Sequence, residues 1–171
     1  GTAQTVFAAA STINVANGAT FMAVTNDANL TLANNLTGNG LVVIDPHYTA
    51  GAAVRDVVIS GNNASFTGTL RLAPTVIGDG NGTFRTNSNL TPAGAGGAAI
   101  EVDAGAQAWL SAATFPNNFV LTGHGYAEAA GATPAAASGL TPYSGTVNGG
   151  IGAIRMSNNT VISGNVTLDG S

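Results

Sequence analysis

Two stretches carry the side chains best suited to acid–base or metal chemistry. In Asp45-Pro46-His47-Tyr48 and in His124-Gly125-Tyr126-Ala127-Glu128 an imidazole stands within a few residues of a carboxylate. Such a pair can relay a proton or begin a metal shell, but a metal centre usually takes three or four ligands braced by a second layer of hydrogen bonds. Each stretch offers at most two, so the spacing predicts loop residues with surface hydrogen bonds. Asp79-Gly80-Asn81-Gly82 has residue types of a calcium loop, and Ca2+ is the one cofactor worth seeking there. The stacked Gly-Gly-x-Gly-x-Asp repeat of calcium-binding β structures is missing, and no cofactor is expected.

Glycoside cleavage needs two carboxylates held a set distance apart. The eight Asp and Glu residues are scattered singly along the chain. Asp56, Glu101 and Asp103 could converge only across neighbouring strands, where Arg55, Arg71 and Arg155 are available to pair with them. The chain is therefore not expected to be an enzyme. Trp109, Phe119, Phe66 and Phe84 could make a platform for sugar rings, but such aromatics more often fill the wider parts of a β core. Asn-x-Ser/Thr sequons start at Asn29, Asn35, Asn63, Asn81, Asn89, Asn158 and Asn165, and would accept glycan wherever the Asn is exposed.

The elements that must hold these residues are short. The 171 residues suit one domain, 1–171, with enough chain to bury a continuous core. Helix formers are scarce, with two Glu, two Gln, two Met and no Lys, whereas Gly (24), Asn (18) and Thr (21) are abundant. That balance predicts strands joined by tight corners and almost no helix. Corners recur every eight to ten residues or so, the spacing of an all-β array. Leu41-Val42-Val43-Ile44 reads as a strand buried on both faces. Near the end, strands are expected over 153–156 and 160–168, while 45–51, 74–97 and 123–150 read as loops.

A phrase, Asn-Asn-x-x-x-Ser/Thr-Gly, opens at Asn62, Asn117 and Asn158, and a shortened copy runs Asn34-Asn35-Leu36-Thr37-Gly38. Recurrence of a corner-and-strand unit predicts a repeat architecture in which like corners stack. An antiparallel β-sandwich has the same strand lengths and turn frequency. The recurring phrase favours the stack: a parallel β-helix, or β-solenoid, of about seven to nine rungs with loop insertions, counting about 20 residues per rung.

The stretches Leu30–Gly40, Val58–Thr69, Asn118–Gly123 and Gly152–Leu168 together resemble the autotransporter-associated repeats of bacterial surface proteins. That resemblance implies a right-handed parallel β-helix exported to the cell exterior. It covers about half the chain and speaks to architecture more than to function.

Charge narrows the partners. Only 7% of residues are charged and the net charge is −4, with no Lys. Nucleic acid and anionic membrane surfaces both require clustered Lys and Arg, so neither is expected. No apolar run approaches ~20 residues, so membrane insertion by a helix is not expected either. With no Cys there are no disulfides. An acidic, Lys-free, Thr/Asn/Gly-rich chain suits an extracellular or bacterial cell-surface location, and a start at Gly1 reads as a processed product or a segment of something longer.

The open ends of a β-stack template further strands unless polar caps cover them. Thr5, Val6 and Phe7 at one end and Val166, Thr167 and Leu168 at the other read as ordinary strands, which predicts contact with copies of the same chain, head to tail. The expected function is an extracellular structural protein of a fibre, stalk or surface layer. The alternatives are an adhesin that binds surface glycans through the loops 45–51 and 123–150, with His47, Tyr48, His124, Tyr126 and Tyr143 as ligand contacts, and, less favoured, a carbohydrate-active β-helix enzyme.

Overall fold

The computed structural model of the chain describes residues 11–26, 30–47, 55–73, 82–86, 99–104, 106–111, 114–122, 153–157 and 159–169. Strands dominate them, and no helix occurs among the described residues. In chain order the strands are β1 (Thr12–Val15), β2 (Thr20–Asn26), β3 (Leu30–Leu32), β4 (Asn35–Gly38), β5 (Leu41–His47), β6 (Arg55–Ile59), β7 (Thr69–Leu72) and β8 (Gly82–Thr86). They continue as β9 (Ala99–Val102), β10 (Ala106–Ser111), β11 (Thr114–Phe115), β12 (Asn118–Thr122), β13 (Ile154–Ser157), β14 (Val161–Ile162) and β15 (Val166–Asp169).

Each pairing among them is parallel. The antiparallel sandwich is thereby set aside. A six-stranded sheet runs β15-β12-β9-β7-β5-β2 and a five-stranded sheet runs β13-β10-β8-β6-β3. Two small sheets pair β1 with β4 and β11 with β14. The chain meets them in a recurring order: a small-sheet strand, then a strand of the six-stranded sheet, then one of the five-stranded sheet. An isolated parallel bridge between Gly38 and Phe66 puts Phe66 in the small-sheet position ahead of β7 and β8.

Paired residues lie between 19 positions apart, as for Ile100 and Phe119, and 30 apart, as for Leu70 and Ile100. Across 123–150 the step grows to 46 for Ala108 and Ile154 and 47 for Phe119 and Val166. Most of these steps are longer than the 20 or so residues expected, and among the described residues the larger sheet holds six strands.

Alternation sets which side chains meet. Leu30 and Leu32 flank Thr31, Leu70 and Leu72 flank Arg71, and Phe119 and Leu121 flank Val120; in each set the outer pair is buried. Parallel in-register pairing keeps a column of residues on one side of a sheet. Leu30 and Val57 are therefore one column, and Val42, Leu70, Ile100 and Phe119 another. The buried members of these columns share one core with Val15, Leu36, Phe66 and Phe115. Phe115 and Phe119 meet edge to face, their centroids 6.3 Å apart. Val42, Val43 and Ile44 are all buried, matching the expectation of a strand covered on both faces.

The corners are held by asparagine. Asn35 Oδ1 accepts from the Asn62 amide at 2.8 Å, and Asn118 Oδ1 accepts from the Asn165 amide at 3.0 Å. In both places a Ser-Gly-Asn corner lies against an Asn-Asn corner. Ser60 and Ser163 donate their amides to the carbonyls of Leu32 and Phe115, at 2.8 and 2.9 Å. A Cβ on Gly61 would collide with the Asn34 carbonyl, and one on Gly164 with that of Asn117, so both positions need a residue without a side chain.

This arrangement corrects several sequence expectations. Residues 45–47, read as the start of a loop, belong to β5, and residues 82–86, inside the stretch read as loop over 74–97, form β8. The strand predicted over 160–168 is divided into β14 and β15, because the chain turns at Ser163-Gly164-Asn165 where Gly164 packs on the Asn117 backbone. Like phrases stack at one junction and not at the other: Asn35 meets Asn62 and Leu36 meets Asn63, but Phe115 pairs with Ile162, which sets Asn117 against Gly164, not against Asn158. The Ile-Ser-Gly-Asn corner also serves two different junctions. At Ile59–Asn62 it leaves the five-stranded sheet; at Ile162–Asn165 it enters the six-stranded one.

Candidate association surface

Of the residues singled out for chemistry, Arg71, Glu101 and Asp103 come together, and many of the others fall outside the described residues. Tyr48, His124, Tyr126 and Tyr143 lie outside the described residues, as do Thr5, Val6 and Phe7 and, of the Asp79–Gly82 phrase, all but Gly82. His47 ends β5, its backbone opposite Asn26. Among the described residues no group of three or more His, Cys, Asp or Glu side chains is placed to hold a metal ion. No described helix is long and apolar enough to cross a membrane.

Glu101 and Asp103 are engaged by Arg71. The Arg71 Nη2 lies 2.9 Å from Asp103 Oδ2, its Nε donates to the same oxygen at 2.9 Å, and Glu101 Oε2 stands 3.8 Å away. Arg71 is opposite Glu101 on β7 and β9, so the register creates the pair. The hydrogen bond that Arg71 donates to Asp103, then the charge of that carboxylate, raise the guanidinium pKa above its ordinary value. The group is largely exposed, and solvent leaves such a pair little net worth.

The aromatic residues divide between core and surface. Phe66 and Phe119 are fully buried. Trp109 projects outward, opposite Arg155 across β10 and β13, and the Arg155 guanidinium lies 3.9 Å from its ring centroid. A cation stacked there occupies the ring face that a sugar would need.

The end strands of the described sheets differ in how far their core-facing residues are covered. β13, β14 and β15 each close the same side of their sheets, and β1, β2 and β3 close the other. We call these the trailing and leading ends. At the leading end the columns finish in Val15, Ala23, Leu30 and Leu32, all buried, with Ile13 and Phe21 packed against them. The leading corner is also bonded: Asn34 Nδ2 donates to Ser11 Oγ at 2.6 Å and to the Ser11 carbonyl at 3.2 Å.

The trailing end differs. Its core columns finish in Ile154 and Met156 over Ala108 and Leu110, Ile162 over Phe115, and Val166 and Leu168 over Phe119 and Leu121. The residues beneath are buried, but Met156 is 49%, Val166 47% and Leu168 77% exposed. Ile154 and Ile162 are partly buried against the core. Asn165, next in the corner ladder after Asn118, is exposed. One apolar surface thus joins three strand edges, each with a row of N–H and C=O groups and no described strand beyond it. The interface residues expected at this end, Val166, Thr167 and Leu168, lie on it.

No family model, curated protein or solved structure matches the chain. The likeness to autotransporter-associated repeats therefore rests on the corner and strand phrases alone.

Proposed function

We propose that the chain is a right-handed parallel β-helix serving as an extracellular structural protein, part of a fibre, stalk or surface layer built by end-on stacking of copies. The recurring order of the sheets supports the helix, since repeated parallel crossovers in one direction wind the chain around a common core. Right-handedness follows the steric preference of parallel crossovers. The exposed apolar columns at the trailing end carry the structural reading. A strand edge of N–H and C=O groups beside Met156, Val166 and Leu168 is complementary to another layer of parallel β structure. Low charge, the lack of Lys and the resemblance to autotransporter-associated repeats support a place at a bacterial cell surface.

Electron microscopy of the purified chain at rising concentration tests the assignment. Rods that lengthen or pair end to end are expected. Dispersed, compact single particles at every concentration would remove the structural role and return the adhesin reading, to be tried by glycan binding with and without 123–150.

A further inference from the structure

The corner asparagines fall into two groups. At one corner the backbone of a neighbouring level uses them: Asn35 and Asn63 accept from the amides of Asn62 and Leu36, and Asn34 donates to Ser11. At the corner between the small sheet and the six-stranded sheet, Asn17 and Asn39 are exposed, and among the described residues no hydrogen bond engages their side chains. The same holds for the hydroxyls of Thr20 and Thr69. These four side chains line a groove of about 440 Å³. Thr20, Leu41 and Thr69 pair in register and lie on the outer face of the sheet, since Val42 and Leu70 beside them face the core. The groove crosses β2, β5 and β7 and ends at Arg71 and Glu101, opposite each other on β7 and β9. Three steps between strands make it about 14 Å long.

We propose that this groove binds a neutral oligosaccharide lying along the direction in which the strands stack. A sugar hydroxyl both donates and accepts, and so do the Asn amides and Thr hydroxyls on the groove. Leu41, half-buried midway between Thr20 and Thr69, offers an apolar patch for the C–H face of a ring. At the far end the clasp on Asp103 occupies Nε and Nη2 of Arg71, which leaves Nη1 as a donor beside the Glu101 carboxylate, an acceptor. An acidic polymer would meet two carboxylates around that one guanidinium. An extended peptide would find no strand edge to join, because β5, β7 and β9 each have a strand on both sides. The groove lies on the flank of the sheet, so further levels at either end of the stack would lengthen the sheet without covering it. The site goes beyond the structural role and holds whether or not copies stack.

Nuclear magnetic resonance titration of the full chain tests this, with cello-, xylo- and malto-oligosaccharides of increasing length as neutral probes, and oligogalacturonates and an extended peptide as comparisons. Saturable shifts are expected at the amides of Asn17, Thr20, Asn39, Leu41, Thr69 and Arg71 with at least one neutral series, the affinity rising with length until the groove is filled. Replacing Asn17 and Asn39 together by Ala should weaken binding about tenfold, the worth of one or two hydrogen bonds. The β circular-dichroism signal should be kept, since neither side chain holds the fold. Thr31→Ala, on the five-stranded sheet, should bind as the parent does. No shifts with any neutral probe at its solubility limit would overturn the proposal. Shifts with the acidic sugar or the peptide alone would overturn the ligand class. Shifts confined to 45–51 and 123–150, or binding that survives the double substitution, would overturn the site.

Discussion

The leading and trailing ends are built from the same kind of strand and treat their apolar residues in opposite ways. Leu30 and Leu32 on β3 are as buried as residues in the middle of the stack, but Leu168 on β15 is 77% exposed. Both strands alternate, both end a sheet, and both continue columns that are buried one strand further in. Nothing in Leu-Thr-Leu or Val-Thr-Leu distinguishes them. In a stack of parallel strands, a side chain is sheltered by the strands on either side of its own, so burial at an end depends on what lies beyond. The same physics leaves Leu168 exposed and shelters Leu30 and Leu32.

Truncating matched residues at the two ends should break or keep this contrast most clearly. Leu32→Ala is expected to cost about 2–5 kcal/mol in urea unfolding, the usual range for a filled core position. Leu168→Ala, measured on dilute monomer, is expected to stay within about 0.5 kcal/mol. Equal losses would mean that the trailing end is covered in solution.

The corner glycines give a smaller difference. A methyl group on Gly61 or Gly164 must push away the Asn34 or Asn117 carbonyl, and overpacking of this kind costs about 1–3 kcal/mol. Gly61 is buried and Gly164 only half-buried. Gly61→Ala should therefore lower the melting temperature more than Gly164→Ala, because a terminal strand can shift outward. The reverse order would place the rigid corner at the trailing end.

The asparagine bonds are subtler still. Asn35→Ala and Asn118→Ala each remove a carbonyl acceptor from a backbone amide, about 0.5–1.5 kcal/mol apiece. Hydrogen exchange should quicken at the Asn62 amide in the first variant and at the Asn165 amide in the second. Exchange at Asn165 is expected to be the faster before any substitution, since its strand has fewer neighbours. The smallest effect belongs to the outer face. Arg71→Met should alter stability by less than about 1 kcal/mol, diminishing further with added salt.

Much of the fold is legible along the chain, and for local reasons. Leu-Thr-Leu, Phe-Val-Leu and Ile-Glu-Val alternate with the period of a strand, and Asn-Asn and Ser-Gly-Asn turn the backbone wherever they occur. Val42, Val43 and Ile44 form a run that only a strand covered on both faces would tolerate. Phase was less visible. Ser163-Gly164-Asn165 interrupts what reads as one strand from 160 to 168, because its role is set by the Asn117 carbonyl, 47 positions earlier. The recurring phrase marks corners, and since one kind of corner serves two junctions it does not number the levels.

Composition and periodicity by themselves determined that this chain makes short strands and tight turns, and that its few aromatics suit a narrow core. These follow from backbone preference and charge, which act within a few residues. Only the tertiary structure decided that all the described pairings are parallel, that Arg71 holds Glu101 and Asp103, and that Leu168 is exposed where Leu32 is buried. Those outcomes depend on which segments lie side by side across 19 to 47 positions, and on whether another strand follows, and neither is encoded in a local pattern of side chains.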